Sequence, residues 1–250
     1  MHPRFRSPLI VLCALALLCP LSRAQQTPTT NAPSSALTPP AAASQQMIKE
    51  AITKMNAKTP DIDGALSDLT QAIQANPSST GAYVLRASLY CQRKQWPLAE
   101  ADFQAAQKIA PTNVVLKFNL VEINFLQKQY DVARPGFVAL EKDPDMGDFA
   151  TYKVFLCDLF GGHEDQAKKE LDIFNDAMGN PSYYFANAAW DLVHKNLDDA
   201  RSWLLSASRI YPPEKNTIYA ESLRDLGYLP IPAPGDVVKP PPATNGAPNP

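Results

Sequence analysis

Histidine, cysteine and clustered aspartate are the residue types that most often carry catalysis or metal binding, and this sequence of 250 residues has few of them. Beyond the first 24 residues the histidines are His163 and His194. Both lie in short polar stretches that predict turns between helices, without a pattern of cysteines or carboxylates at metal-site spacing beside them. We therefore expect solvated turn histidines and neither a metal nor a cofactor.

The segment from Asp143 to Asp148 resembles a fragment of a calcium loop because it holds three aspartates. It lacks the glutamate at the twelfth position and the alternating oxygen ligands that such a loop uses. A helix-capping turn is the better interpretation. The sequence also has no glycine-rich phosphate loop and no nucleophile elbow. The chain is therefore predicted not to be an enzyme.

The first 24 residues have the pattern of a secretory signal peptide. Arg4 and Arg6 form a basic start, an apolar run follows from Leu9 to Cys19, and small residues precede Ala24. An apolar run of about eleven residues is too short for a membrane-spanning helix, which needs about 20. We predict export to the periplasm or the exterior of a bacterium, with no membrane span. A lipidated Cys19 is the weaker alternative, because Leu17 stands where a lipobox has a small residue.

Charge and composition exclude some classes of partner. Removal of residues 1–24 leaves 20 basic and 25 acidic residues, a net charge of −5. A mildly acidic chain without a basic stripe is a poor ligand for nucleic acid. With 45% hydrophobic residues the chain has enough apolar surface for a folded core.

An internal period organises the middle of the chain. Small alanines recur at spacings of 34, 34, 34 and 33 residues: Ala65, Ala99, Ala133, Ala167 and Ala200. A large apolar residue follows each one after four positions: Leu69, Phe103, Phe137, Leu171 and Leu204. The small side chain lets two helices cross closely, and the residue four positions on lies on the same helical face and fills the gap. A fixed period of this length predicts stacked helical units.

Residues 80–113 show the pattern most completely, with Tyr83, Ala87, Tyr90, Ala99, Phe103, Ala106 and Pro111 in register. On these residues the sequence resembles the tetratricopeptide repeat family, whose 34-residue unit is a pair of helices. Arg86 departs from the family pattern, which has leucine there. The resemblance implies an all-α solenoid of about five helix–turn–helix units, closed by a helix over residues 214–226.

Four segments follow from this organisation. Residues 1–24 are the predicted signal peptide, and residues 25–44 are a predicted disordered linker without apolar bulk. Residues 45–228 are the predicted superhelical repeat domain. Residues 229–250 hold eight prolines and predict an extended, proline-rich tail. Cys91 and Cys157 fall in units separated by a whole repeat, so we expect two buried, free thiols.

In the family that the sequence resembles, the first helix of each unit lines a concave face. The resemblance therefore implies a binding groove formed by one or two residues of each unit: Val84, Phe118, Phe125, Tyr152, Leu159, Phe185 and Tyr219. An apolar and aromatic groove of this kind accepts an extended or helical peptide. The alternative is that these side chains pack between neighbouring helices and leave no open groove.

The predicted function is a non-enzymatic adaptor that binds a protein or peptide partner. The alternative function is an assembly subunit of the cell envelope, which would use its outer faces and tails while its own side chains fill the groove. The proline-rich segment from Leu229 to Gly235 is an internal candidate ligand that folds back on the repeats. The sequence leaves the oligomeric state open.

Overall fold

The computed structural model describes residues 39–176 and 179–229. The predicted signal peptide, residues 25–38 of the predicted linker and residues 230–250 of the predicted tail lie outside the described residues. Within the described part of the chain, no helix combines the length and the apolar character that a bilayer crossing requires.

The described residues form helices and no strand. The helices are α1 (Pro39–Met55), α2 (Ile62–Ala75), α3 (Thr80–Gln92), α4 (Trp96–Ile109), α5 (Val114–Leu126), α6 (Tyr130–Val138), α7 (Gly147–Gly161), α8 (Glu164–Asp176), α9 (Pro181–Val193), α10 (Leu197–Ile210) and α11 (Pro213–Asp225). Helix α1 packs on α2, α3 on α4, α7 on α8, and α9 on α10, so the helices pair in the predicted order. The all-α repeat fold predicted from the 34-residue period is confirmed.

The periodic alanines occupy the positions that the sequence assigned to them. Each is fully buried, with no exposed surface: Ala65, Ala99, Ala133, Ala167 and Ala200. The large residues that follow them by four positions are buried in the first four units: Leu69, Phe103, Phe137 and Leu171. Close helix crossings therefore recur along the chain, because a larger side chain at the alanine would separate the two backbones.

The chain divides between Asn124 and Phe125 into two compact halves, each of which contains several repeat units. In the first half, α1, α2 and α3 form an aliphatic core that includes Ala51, Leu69, Leu85 and Leu89. In the second half the core is aromatic. Phe155 packs on Phe174 with ring centres 5.8 Å apart, and Phe125 packs on Phe137 at 6.1 Å.

The turn after the first helix of a unit also repeats. A residue with positive φ ends that helix at four equivalent positions: Lys94 (56°), Lys128 (62°), Gly162 (86°) and Lys195 (65°). The left-handed residue lets the next backbone N–H return to the last turn, as in Gln95 N to Tyr90 O at 2.9 Å and Asn196 N to Asp191 O at 2.8 Å. Three of the four positions hold lysine, so no glycine pattern predicts this turn.

Helix α1 begins inside the segment that was predicted to be a linker. It starts at Pro39, so residues 39–44 are helical, and Ser44 is buried. Proline is well suited to the first helical turn, and the alanines from 41 to 43 have the highest helix propensity. The absence of bulky apolar residues therefore did not predict where this helix begins.

Candidate protein-interaction surface

The residues predicted to line an open groove lie in the interior. None of the seven is more than 6% exposed: Val84, Phe118, Phe125, Tyr152, Leu159, Phe185 and Tyr219. The prediction that these side chains face a bound peptide is therefore corrected, and the packing alternative describes them. The cause is that first helices of successive units contact each other directly, as α9 does with α7 and α11.

A row of aromatic rings does exist in the second half of the chain, but the rings pack between these first helices. Tyr219 lies 5.1 Å from Tyr152, 5.4 Å from Phe149 and 5.6 Å from Phe185, measured between ring centres. Its hydroxyl donates to Asn180 Oδ1 at 3.2 Å. Burial raises the pKa of the Tyr219 and Tyr152 hydroxyls. These rings stabilise the stack and are closed to a guest.

The histidines are exposed turn residues, and each pairs with a carboxylate of the preceding unit. His163 Nε2 lies 2.7 Å from Asp131 Oδ1, and His194 Nε2 lies 2.9 Å from Glu164 Oε1. The hydrogen bond to Glu164 raises the pKa of His194. The described residues contain no group of three or more potential metal ligands. Cys91 and Cys157 are buried thiols outside any disulfide, as predicted.

Buried carboxylates occur at one repeat position, directly before the large apolar residue. They are Asp68, Asp102 and Glu170. In the first half of the chain Arg86 donates to both oxygens of Asp102 at 2.8 Å and to Thr70 Oγ1 at 3.1 Å. A buried carboxylate needs a partner, and each of the three forms an ion pair with a cation. Lys54 Nζ, for example, lies 2.7 Å from Asp68 Oδ2.

Helices α6, α7 and α8 hold two carboxylates under one arginine. Arg134 donates to both oxygens of Asp158 at 2.8 Å and to Glu170 Oε1 at 3.0 Å. Glu170 Oε2 is buried and accepts no hydrogen bond. Burial, followed by the neighbouring Asp158, raises the pKa of Glu170 to about 7. A proton on Glu170 allows it to donate to Asp158, so this cluster favours the protonated acid.

The next unit repeats this arrangement with two changes. Asp191 is equivalent to Asp158, but Trp203 stands where Glu170 stood, and its indole Nε1 donates to Asp191 Oδ2 at 2.9 Å. Lys168 is equivalent to Arg134, but its Nζ pairs with Asp172 and lies 5.4 Å from the centre of the Trp190 ring. Among the described residues the side-chain hydrogen bonds to Asp191 come from Trp203 and Asn196, both neutral donors. In the described part of the chain, neither a lysine nor an arginine bonds to the Asp191 side chain.

A cluster of half-buried rings adjoins this aspartate. Trp203 lies 5.5 Å from Tyr183 and 6.3 Å from Tyr184, and Tyr184 lies 5.9 Å from Tyr211, between ring centres. All four rings retain part of their surface in solvent. Edge-to-face packing holds the rings in fixed orientations while their remaining faces stay available.

A shallow depression of about 350 Å³ lies beside Trp203, lined also by Asp191, Asp199, Ser202 and Ser206. One side of it is aromatic and the other carries two carboxylates. We call the four rings with Asp191 and Asp199 the α9–α10 surface. Such an arrangement offers ring faces to an apolar, rigid segment and negative charge to a cation.

Sequence reasoning missed this surface because it looked for residues at the repeat positions of the family groove. The available signal was the exception to the pattern. Trp203 occupies the position that holds a carboxylate in three other units, and two consecutive tyrosines open the same unit at 183 and 184. A bulky aromatic residue at a position that is otherwise acidic indicates a change of environment in that unit.

Comparison with known proteins gives two likenesses. Over 122 residues the chain is 34% identical to bacteriophage adsorption protein A of Escherichia coli (strain K12), which covers 47% of this chain. The chain spans only 12% of the length of that protein. No protein-family model matches the sequence.

The second likeness is to a solved structure described as the functional characterization of Pseudomonas aeruginosa pilF. It has a TM-score of 0.51 and 16% sequence identity, and it covers 77% of this chain and 95% of that chain. At this identity the likeness shows the fold. With the periodic helix pairs, the two likenesses support the resemblance to the tetratricopeptide repeat family. Both similar proteins are bacterial.

Proposed function

We propose that this chain is a non-enzymatic adaptor of the bacterial envelope that binds a partner protein through the α9–α10 surface. The ligand is an extended, proline-containing segment with a basic residue beside the prolines. The observation that carries the proposal is that the half-exposed indole of Trp203 and the carboxylate of Asp191 meet at one depression, and that no lysine or arginine among the described residues bonds to this carboxylate.

The rings favour a proline-rich segment for a physical reason. Proline-rich segments are already extended in the polyproline II conformation, so binding orders little additional chain. Their flat pyrrolidine faces pack on tyrosine and tryptophan rings, and aromatic grooves recognise them in this way. Tyr183, Tyr184, Trp203 and Tyr211 supply four such rings on one helix pair.

The carboxylates favour a basic residue next to the prolines. Asp191 is bound by neutral donors, and Asp199 is exposed in the first turn of α10. In the equivalent cluster one unit earlier, Arg134 donates to both oxygens of Asp158, which supports a cation as the ligand of Asp191. A lysine or arginine of the partner would take the corresponding place over Asp191.

The helical-repeat fold supports a protein-interaction role in general, and the bacterial origin of the similar proteins agrees with an envelope location. Export rests on residues 1–24, whose basic and apolar pattern is that of a signal peptide. Fractionation of cells that express the full sequence tests it, because an exported chain loses those residues and leaves the cytoplasm.

The binding test uses a synthetic probe, Ala-Pro-Pro-Lys-Pro-Pro-Ala with blocked ends, titrated into the full chain and into a chain ending at Leu229. Tryptophan fluorescence and calorimetry report the dissociation constant. We expect the probe to bind, and Trp203→Ala to weaken this binding at least about tenfold. Trp96→Ala, on α4 in the first half of the chain, should leave the binding unchanged. Replacement of the probe's lysine by glutamine should weaken binding in the wild type and not in Asp191→Asn.

Two results would overturn the proposal. One is no binding of the probe to either form of the chain at millimolar concentration. The other is binding that Trp203→Ala leaves intact, which would place the ligand elsewhere.

A second candidate function is an assembly subunit, and one observation favours it. Large apolar side chains are exposed on α4, α6, α8 and α10: Leu98, Val132, Ile173, Leu205 and Ile210. Because the predicted groove residues are packed inside, these outer side chains remain available for contacts between copies. Light scattering that shows a stable oligomer, dissociated by Ile173→Glu or Leu205→Glu, would favour this candidate over the adaptor.

A further inference from the structure

We infer that the chain carries its own ligand for the α9–α10 surface: the segment Val238-Lys239-Pro240-Pro241-Pro242 docks there and competes with the partner. This inference rests on the proposed function, because it assigns an occupant to the same surface. It specifies both the segment and the site.

The chemistry of the segment matches the surface feature by feature. Residues 230–250 contain a single basic residue, Lys239, and it stands directly before three consecutive prolines. Lysine meets the carboxylates of Asp191 and Asp199, and the three prolines present flat apolar faces to the rings. The second half of the chain thus has an acidic and aromatic surface, and the residues that follow it carry a lysine next to prolines, with Asp236 three positions before that lysine.

The point where the described chain ends allows the segment to reach this surface. Tyr228 is held against Phe160 with ring centres 5.3 Å apart, and its N–H bonds Leu223 O at 2.9 Å. From there back to Tyr211 the chain runs along α11, whose 13 residues span about 20 Å. Lys239 lies ten positions after Leu229, and an extended proline-rich chain covers about 31 Å over that length. This reach exceeds the length of α11, so Lys239 can return as far as Tyr211, one of the four rings of the α9–α10 surface.

A tethered ligand competes strongly even when its own affinity is low. Attachment through a short linker gives an effective concentration in the millimolar range. A partner then binds only the fraction of chains whose surface is open, and its apparent dissociation constant rises by the inverse of that fraction. The segment would therefore raise the apparent dissociation constant of every competing ligand, so weak, non-specific ligands would occupy the surface less often.

The experiment compares the full chain, Lys239→Gln and a chain ending at Leu229, since α11 ends before the cut. The first readout is the NMR signal of the Trp203 indole Nε1–H, assigned with Trp203→Phe. We expect this signal to differ between the full and shortened chains, and a synthetic peptide of residues 230–250 to move it back. The second readout is the affinity for the Ala-Pro-Pro-Lys-Pro-Pro-Ala probe, which we expect to rise about three- to tenfold on shortening and less in Lys239→Gln.

The outcomes separate this inference from the proposed function. Equal probe affinities and identical indole signals for the full and shortened chains overturn the inference and leave the proposed function standing. Failure of the probe to bind either form overturns both. A change of signal that appears only as protein concentration rises means that a second copy supplies the segment, which overturns docking within one chain.

Discussion

The indole Nε1 of Trp203 donates a hydrogen bond to Asp191 Oδ2 over 2.9 Å, at the positions where the preceding unit places Glu170 beside Asp158. One unit therefore pairs two acids beneath an arginine. The next pairs an acid with a ring, and no lysine or arginine of residues 39–176 and 179–229 bonds to that acid. The same backbone geometry supports both arrangements because the two residues lie on facing helices twelve positions apart. With Trp203 in place of Glu170 and Lys168 in place of Arg134, the second arrangement leaves a ring and a carboxylate partly exposed.

The Trp203–Asp191 bond predicts different effects for two substitutions of Asp191. Asp191→Asn keeps an oxygen acceptor for the indole, so the free energy of unfolding should change by less than about 0.5 kcal/mol. Asp191→Leu removes the acceptor from a partly buried N–H and should cost about 1 kcal/mol. Urea unfolding measures both, with Asp199→Leu as an exposed control. Equal losses for Asn and Leu at 191 would contradict the role assigned to this bond.

The period of the sequence predicted the fold because its physical cause is local. A small alanine such as Ala99 or Ala133 marks a close helix crossing at each repeat of the period. Identifying such a crossing requires no knowledge of the rest of the molecule. The candidate site depended on which helices contact each other, which the period alone does not determine. Tyr152 and Tyr219 have the spacing of groove residues, yet direct contact between first helices buries them. The replacement of a carboxylate by Trp203 was visible in the sequence, but its consequence was recognisable only after its partner Asp191 was placed beside it.

The close helix crossing at Ala99 can be tested by adding side-chain volume. Ala99→Leu inserts a bulky group where the native residue has no exposed surface, so overpacking should cost about 3 kcal/mol or more. Leu98→Ala, at the adjacent and 47% exposed position, should cost less than about 1 kcal/mol. Thermal unfolding of both variants gives the comparison. A tolerated leucine at 99 would contradict the assignment of this residue to a tight crossing.

The left-handed turns predict a stabilising substitution. Lys94 has φ of 56°, a conformation that costs a residue with a side chain about 1 kcal/mol relative to glycine. Lys94→Gly should therefore raise the free energy of unfolding by up to about 1 kcal/mol, reduced by the greater freedom of glycine in the unfolded chain. The matched control is Lys108→Gly in the last turn of α4, which should destabilise by about 1 kcal/mol. Destabilisation by glycine at both positions would contradict the prediction.

The buried ion pair of Arg86 and Asp102 predicts a loss that a second substitution recovers. Arg86→Met leaves the 8% exposed side chain of Asp102 without its cation and should cost about 3 kcal/mol. Adding Asp102→Leu removes the stranded charge, so the double variant should regain most of that loss. Denaturant unfolding of the two single variants and the double variant forms a complete mutant cycle. Additive losses in the double variant would show that the two side chains act independently.

Glu170 predicts that stability falls as pH rises. Its pKa in the folded chain is about 7 against an ordinary value of 4.5, so between these values the folded state binds more protons than the unfolded state. The stabilisation is complete below pH 4.5 and is lost as pH passes 7, by about 2 kcal/mol after allowance for solvent screening. Glu170→Gln keeps a donor towards Asp158 and carries no charge, so it should remove this part of the slope and be the more stable protein at pH 8. Urea unfolding at half-unit steps from pH 4.5 to 8 gives both slopes, and subtraction of the variant isolates Glu170 from other titrating groups, including His194. The exposed Glu100→Gln should retain the wild-type slope, and an equal slope in Glu170→Gln would show that the acid pair beneath Arg134 does not bind the proton.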